Sequence, residues 1–267
     1  MKKLDLGTIA GLGCAFGLIL LGNHLEGGHL SSIIQPTAAL IVFGGTMGAV
    51  MVGFPLEDFI RALKSITLFF GNKAQDGRAV LDEIVRYAQI ARREGIIALE
   101  EHVQKSTDPF FKKAFLMVVD GLDSKAIAES LELELHELDE KGEIPAKVYE
   151  AAGGYCPTVG ILGAVLGLIH VMANLSDIDK VGSGIAVAFV ATIYGVGAAN
   201  IVCLPAANKL KMKHRAEMVL REMIMHGAIA IQQGENPKLI EGKLSVFVHG
   251  HEKKKHDGEA NKAKAAA

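Results

Sequence analysis

The sequence has only three cysteines in 267 residues, and none of them belongs to a metal-binding or redox motif. Cys14, Cys156 and Cys203 each lie alone in an apolar run, without C-x-x-C spacing and without a histidine at ligand spacing. A Walker sequence, a dinucleotide-binding fingerprint and a converging set of nucleophile, base and metal ligands are missing as well. We therefore expect a protein that is not an enzyme and that needs no cofactor or metal.

A large excess of charge of one sign is also lacking, since 28 lysines and arginines oppose 30 aspartates and glutamates. A nucleic-acid-binding protein would carry a basic patch or stripe, so that class of partner is excluded. The charges are concentrated in one central and one C-terminal block. This segregation leaves long stretches of the chain without any charged residue.

Half of the residues are hydrophobic, and they are concentrated in four long runs. A helix needs about 20 apolar residues to cross a bilayer. The four runs are close to that length: residues 6–22, 36–54, 151–174 and 181–208. The sequence therefore predicts an all-α integral membrane protein with four transmembrane helices and a helical cytoplasmic domain between helices 2 and 3.

Lysine and arginine are distributed unequally over the connections between these runs. Residues 23–35 contain neither, and residues 175–180 contain only Lys180, whereas both long polar segments are rich in them. Positively charged connections tend to remain in the cytoplasm. We therefore expect the two short loops to face outward, and both termini and the central polar block to face the cytoplasm.

The polar segments divide the chain further. We predict transmembrane helices 1 and 2 with a short loop in 1–56, a helical cytoplasmic domain in 57–150, transmembrane helices 3 and 4 in 151–208, a cytoplasmic C-terminal helix in 209–248 and a disordered tail in 249–267. The tail has almost no apolar bulk, which is typical of disorder. Its three histidines could bind a metal weakly, but a solvated tail explains them better: His249, His251 and His256.

Periodicity predicts helices in the central block. Helix starts are expected at Asp108-Pro109 and at Asp123-Ser124, because aspartate caps helices and proline is favoured in the first turn. Four apolar residues recur at the spacing of one helix face: Leu81, Ile84, Val85 and Ala88.

Two prolines belong to the later apolar runs, Pro157 in the third and Pro205 near the end of the fourth. A proline within a spanning helix frees a backbone carbonyl and permits a local bend. Each could be a packing kink or a hinge that transmits movement.

None of the four runs contains an aspartate or a glutamate. An ion pathway through a membrane needs oxygen ligands or a proton acceptor facing the interior of the helix bundle. If this protein conducts ions, the acidic group must therefore come from another chain.

Four motifs occur in the order and spacing of MotA proteins: Gly-Gly-Thr at 44–46, RREGIIALE at 92–100, PTVGILGAVLGLIHVM from Pro157, and ATIYG followed by LPAANKLK. The likeness extends from about Leu6 to Met225. The chain thus resembles the MotA family of flagellar motor stator subunits, within the MotA/TolQ/ExbB proton channel superfamily.

The resemblance implies a bacterial inner-membrane protein that forms a homo-oligomeric ring, understood to be a pentamer, around two copies of a single-span MotB-like partner. Ions would pass between the two and alternately neutralise a carboxylate of the partner. Torque would reach the rotor protein FliG of the flagellar switch complex through the cytoplasmic domain. Membrane lipid would surround the spans.

By similarity, Arg92 and Glu100 are the charges that engage the rotor. On one continuous ideal helix they would be separated by about 80°, and Arg93 would be the better same-face partner of Glu100. Both arginines therefore remain candidates, and an ordinary solvated helix face is the alternative. The resemblance also implies that Pro157 and Pro205 take part in conformational change.

The resemblance places Thr192 beside the partner's carboxylate, although its hydroxyl could equally bond back to its own helix. Sodium-type relatives tend to carry a second hydroxyl seven residues after the proline of span three, where this chain has Ala164. Sodium coordination is harder to complete without that oxygen. The sequence therefore favours protons over sodium, with Thr192 and Ala164 lining the pathway.

Two related motors are the alternatives. An ExbB- or TolQ-like energiser typically has three spans, so the paired N-terminal runs and the motif at 92–100 weigh against it. A gliding-motor stator built from the same parts remains open.

Overall fold

The computed structural model describes residues 5–71 and 76–248, and its contacts divide the chain into two compact units. We call the first, Met1–Lys73 with Gly142–Met212, the apolar unit. The second, Ala74–Lys141 with Lys213–Ala267, is the charged unit. The predicted tail at 249–267 lies outside the described residues.

The described residues form helices and no β-strand. In chain order the helices are α1 (Leu6–Leu25), α2 (Pro36–Ala39, continued by a π-helical turn Leu40–Gly44 and by Gly45–Gly53), α3 (Leu56–Phe70), α4 (Gly77–Glu94), α5 (Glu100–Gln104), α6 (Pro109–Val119), α7 (Ser124–Ala173), α8 (Ile178–Gly197, continued by a π-helical turn Ala198–Cys203), α9 (Leu204–Gln232) and α10 (residues 237–248).

Within the described residues, four helices are long and apolar enough to cross a membrane, and they match the four runs predicted from the sequence. They are Leu6–Leu25, Leu30–Gly53, a stretch of Ser124–Ala173 and a stretch of Ile178–Gln232. The predicted fold class is confirmed: the protein is all-α, with four candidate spans and helices between the second and the third.

The observed helices continue across two of the domain boundaries predicted from the sequence. Residue 150 lies within the 50-residue helix α7, and residue 208 lies within α9. Pro145 and Pro157 both lie inside α7 without ending it. The two ends of the predicted central block, 57–73 and 142–150, belong to the apolar unit, whereas residues 74–141 form one unit with residues 213–248, because these two segments share one apolar core.

That core belongs to the charged unit and is built around aromatic rings. Tyr87 is 1 % exposed, and its ring packs edge-on against Phe111 and Phe115, with centroids 5.5 and 5.2 Å away. The Tyr87 hydroxyl donates to Glu83 at 3.2 Å. Burial and the charge of Glu83 raise the pKa of Tyr87 to about 12, so the hydroxyl stays protonated at physiological pH.

The two expected helix starts in this unit are confirmed. Asp108 accepts hydrogen bonds from the backbone N–H groups of Phe110 and Phe111, at 2.9 and 3.3 Å. Asp123 accepts one from Ala126 at 2.7 Å. Of the predicted face in α4, Leu81, Ile84 and Ala88 are buried and Val85 is half-buried.

Asp5 and Lys209 join three helices of the apolar unit. The Asp5 carboxylate caps α1 by accepting from the Gly7 N–H at 3.0 Å, and it pairs with the Lys209 ammonium group. This pairing lowers the pKa of the Asp5 carboxyl. The same ammonium group lies 5.5 Å from the centroid of the Phe69 ring, at the end of α3. One lysine therefore connects α1, α3 and α9.

Phe115→Ala should destabilise the charged unit by about 3–5 kcal/mol, the usual cost of deleting a buried phenylalanine side chain. Phe115 is fully buried, so its removal leaves a cavity in the aromatic cluster. The measurement is the thermal unfolding transition of the detergent-solubilised protein. Leu133→Ala is the matched control, since Leu133 is 73 % exposed. An unchanged transition for Phe115→Ala would contradict the assigned core.

Candidate functional site: a glycine seam and a charged corner

Helices α7 and α8 approach so closely that glycine is required on both. A Cβ atom on Gly195 would lie 2.6 Å from the Cys156 carbonyl oxygen and 3.0 Å from the Gly160 Cα. Farther along, a Cβ on Gly167 would lie 2.7 Å from the Gly184 carbonyl oxygen. Backbones can approach in this way only where side chains are absent. We call this line of contact the glycine seam.

Ala164 and Thr192, the two predicted pathway residues, flank the middle of the seam. Ala164 directly follows Gly163, and Thr192 directly follows Ala191. Gly163 and Ala191 are in contact across the seam, since a Cβ on Gly163 would lie 2.7 Å from the Cβ of Ala191. Both Ala164 and Thr192 are half-buried. The structure therefore places the two predicted residues at one level of the seam.

The Thr192 hydroxyl donates to the carbonyl oxygen of Ala188 at 3.1 Å. This is the back-bonded arrangement that the sequence left open. Such a bond satisfies a hydroxyl in an apolar environment and tends to bend the helix slightly. The second lone pair of the oxygen remains able to accept a hydrogen bond.

Pro157 and Pro205 lie at two different features of the apolar unit. Pro157 lies inside α7 directly after Cys156, whose carbonyl oxygen faces Gly195 across the seam. Pro205 follows the π-helical turn Ala198–Cys203. Proline has no N–H to donate to the carbonyl four residues earlier, and a wider turn at this point accommodates the missing bond.

A groove of about 320 Å³ lies beside Pro205. Gly7, Thr8 and Gly11 of α1 form one wall, and Asn200 and Lys209 contribute polar groups. The segment around the proline is therefore not fully packed by other helices of the described chain.

Two functional candidates in the spans were not assigned a role from the sequence, although both belong to quoted motifs. The Tyr194 hydroxyl donates to the Ile33 carbonyl at 2.6 Å and accepts from the Gln35 N–H at 3.2 Å, which attaches the segment before α2 to α8. Thr46 is 5 % exposed. Its hydroxyl has no hydrogen-bond partner of good geometry among the described residues, although the Cys156 thiol lies close enough to interact.

The rotor-facing candidates lie at a corner of the charged unit, not on one helix. Helix α4 ends at Glu94, and Gly95 has a φ of +91°, a conformation that favours glycine. A 3₁₀ turn, Ile96–Leu99, leads into α5 at Glu100. The continuous helix assumed in comparing Arg92 with Arg93 is therefore interrupted, and the angle that made Arg93 the better same-face partner of Glu100 does not apply. Both arginines remain candidates.

Arg92, Arg93 and Glu100 are all exposed. None of the three has an ion pair within the ranges 5–71 and 76–248. The neighbouring Glu101 differs, because it pairs with Lys105 at 2.6 Å, and this hydrogen bond lowers the pKa of its carboxyl. We call residues 92–100 the charged corner.

These features define a multi-pass helical membrane protein with a tightly packed pair of later spans and a separate charged surface. Two family models match the chain: the MotA/TolQ/ExbB proton channel family at residues 102–223 and the motility protein A N-terminal family at residues 9–95. The chain belongs to the motility protein A family and is a flagellar motor stator subunit.

Relatives match along almost the whole chain. Motility protein A of Bacillus subtilis is 34 % identical over 261 residues, which cover 96 % of each protein. The solved C. jejuni MotAB structure is similar with a TM-score of 0.86 and 31 % identity, covering 91 % of this chain and 96 % of that one. The flagellar MotAB stator complex from Bacillus subtilis gives a TM-score of 0.82 and 33 % identity, covering 90 % and 95 %.

These findings confirm the predicted family and the stator function. They do not favour the energiser alternative, since the N-terminal model that matches is specific to motility protein A. The family consists of channel-forming proteins and is not a known class of enzyme.

Gly195→Ala should destabilise the packing of α7 against α8 by about 1–3 kcal/mol, the usual cost of overpacking. The added methyl group would overlap the Cys156 carbonyl, and backbone cannot move aside as a flexible side chain can. The measurements are thermal stability in detergent and swimming speed of cells that carry the variant.

Gly197→Ala is the matched control for this seam prediction. A Cβ at Gly197 meets no atom within 4 Å among the described residues. Equal stability of the two alanine variants would show that the seam tolerates side chains and would contradict its assignment.

Proposed function

We propose that copies of this subunit form a ring, a pentamer as the resemblance implies, around a single-span MotB-like partner in the bacterial inner membrane. The solved relatives are MotAB complexes, which supports a partner of this kind. The arginine- and lysine-poor loops at 23–35 and 175–180 support an orientation with both termini in the cytoplasm. Membrane lipid contacts the outer faces of the ring.

The observation that carries the channel proposal is the absence of acidic side chains from the four apolar runs. A charged or titrating group within a membrane is costly and marks an ion pathway. This chain supplies no such acid in its runs, so the partner supplies the carboxylate. Ions then cross at the interface between the two chains and not through one subunit alone.

The carried ion is a proton in this proposal. Thr192 lies beside the partner's carboxylate and offers one oxygen, and Ala164 at the same level of the seam offers none. Sodium needs several oxygen ligands to replace its hydration shell, whereas a carboxylate can take up a proton by itself.

Movement within the spans reaches the charged unit through the segments at Pro157 and Pro205. Pro157 adjoins the tight end of the seam, where a shift of the α7 backbone must displace Gly195. Pro205 follows a π-helical turn beside a groove, which leaves room for rearrangement of that segment. Pro157 thus acts as a hinge in a tightly packed position, and Pro205 acts as a hinge beside open space.

Torque is transmitted at the charged corner, where Arg92, with Arg93 beside it, and Glu100 face the rotor protein FliG. Their exposure and the lack of intrachain ion pairs for these three residues in the described structure leave both signs of charge available. Complementary charges register a transient partner and speed its association. Alternating contacts of opposite sign fit a rotor that moves past in steps.

The ion pathway can be tested with purified protein in liposomes that contain a pH-sensitive dye. We expect no proton flux from this chain alone and clear flux when the MotB-like partner is present, because the partner carries the acid. A partner whose membrane carboxylate is replaced by asparagine or glutamine is the control. Flux through this chain alone would refute the proposal, and flux driven only by a sodium gradient would refute the assignment to protons.

The torque-transmitting surface can be tested by charge reversal. Arg92→Glu together with Glu100→Arg should weaken the rotor contact by at least about tenfold, since opposed like charges cost several kcal/mol. Torque near stall is the measurement, with membrane level and partner co-purification as controls for assembly. Lys125→Glu is a matched surface variant in the same unit, with its side chain 85 % exposed. Normal torque in the double variant would contradict the assignment of the charged corner as the torque-transmitting surface.

A further inference from the structure

Ile97 is an exposed apolar side chain in the middle of the charged corner. With 76 % of its surface accessible, it is the most exposed large apolar residue of the charged unit within the described ranges. An isolated exposed isoleucine is common on protein surfaces and means little by itself. Ile97 differs from such residues in the fixed turn that carries it and in the charges that surround it.

The 3₁₀ geometry of the turn separates its side chains into an inner and an outer pair. Side chains three residues apart are aligned in a 3₁₀ helix. Leu99 is fully buried, and Ile96 packs against the same core. Ile97 and Glu100 form the outer pair, and both are exposed. The turn therefore presents an apolar group and a carboxylate side by side.

The turn is held in place by its own backbone and by the core beneath it. Gly95 supplies the positive φ that redirects the chain after α4. The Ala98 N–H donates to the Gly95 carbonyl oxygen at 3.2 Å, and the His102 ring lies edge-on to Tyr87 with centroids 6.3 Å apart. A surface that is fixed before binding loses less conformational entropy on association.

Charges of both signs surround Ile97. Arg92, Arg93 and Glu94 precede the turn, Glu100 follows it, and none of the four has an ion pair among the described residues. Protein interfaces often have an apolar centre that is shielded from water by a polar rim. The charged corner has this composition.

Leu133 shows the contrast, because its exposure is similar but its neighbours are not. Leu133 is 73 % exposed on α7, yet two of the nearby carboxylates are paired within the chain. Glu134 binds Lys113 at 2.5 Å, and Glu137 binds Lys141. Ile97 differs from Leu133 because flanking charges of both signs have no ion pair among the described residues.

We propose that Ile97 is the apolar anchor of the rotor contact. It enters an apolar pocket on the rotor surface, with an acidic group of the rotor facing Arg92 and Arg93 and a basic group facing Glu100. This rests on the proposed function, in which the charged corner faces the rotor. Burial of the isoleucine supplies affinity, and the flanking charges supply register.

The test compares Ile97→Ser and Ile97→Leu in the full-length chain, expressed with its partner in cells that lack their own copy. Fluorescently tagged stators are followed at individual motors, and their residence time is measured by recovery after photobleaching. We expect Ile97→Ser to shorten residence by about tenfold, as the loss of a buried isoleucine side chain implies, and Ile97→Leu to stay close to the parent. Leu133→Ser is the matched control and should not change residence.

Three outcomes would overturn the proposed role of Ile97 as the apolar anchor. Parental residence for Ile97→Ser, or an equal effect of Leu133→Ser, would overturn it. Fewer copies of Ile97→Ser per purified complex would mean that Ile97 contacts another subunit instead, which also overturns it.

The charge-reversed variant is followed in the same assay to separate this proposal from the one on which it rests. If that variant leaves motors early and Ile97→Ser does not, the corner faces the rotor but Ile97 is not its anchor. If neither variant shortens residence, the charged corner itself has been assigned wrongly.

Discussion

The close approach of α7 and α8 is the constraint on which the apolar unit depends. Backbone lies against backbone at Gly160 and Gly195 and again at Gly167 and Gly184. Lipid offers no hydrophobic drive for helices to associate, so van der Waals contact over such surfaces must supply the attraction. The same contact fixes the level at which Ala164 and Thr192 lie. The two proposed pathway residues are thus positioned by the absence of side chains next to them.

A tightly packed pair of helices also makes the prolines consequential. Close-packed interfaces adopt discrete arrangements and do not deform continuously, so a bend at Pro157 cannot be absorbed locally beside Gly195. The segment at Pro205 is different, because a π-helical turn and a groove adjoin it. In the proposed mechanism, motion that enters at the seam is accommodated where the packing is open.

The charged unit combines a stabilising apolar core with surface charges that have no ion pair among the described residues. Its stability comes from an apolar core that combines α4, α6 and the first part of α7 with residues after Lys213. The surface charges of α7 are largely neutralised in pairs, whereas those of the charged corner are not. The unit thus separates its stabilising pairs from the charges that remain available for recognition.

The sequence by itself determined the number of spans, the class of fold and the family. Length and hydrophobicity decide whether a helix can cross a bilayer, and motifs such as RREGIIALE and LPAANKLK are readable without coordinates. The caps at Asp108 and Asp123 were also predictable, because capping depends on residues only two or three positions away. The absence of acid from the spans required no structure either.

The tertiary structure decided the rest, for reasons that lie in contacts between distant residues. Spacing along an assumed helix put Arg93 on the same face as Glu100, but Gly95, with its positive φ, ends that helix. The core that holds Leu99 fixes the turn beyond it. No local pattern names the surface on which the small residues of the fourth run pack, which is Gly160, Gly163 and Gly167 of α7. The sequence predicted the C-terminal helix as a separate segment. Its apolar residues pack in the same core as Leu81, some 130 residues earlier, and no local pattern shows this. Local rules fix where helices form, and burial between distant residues fixes which of their faces meet.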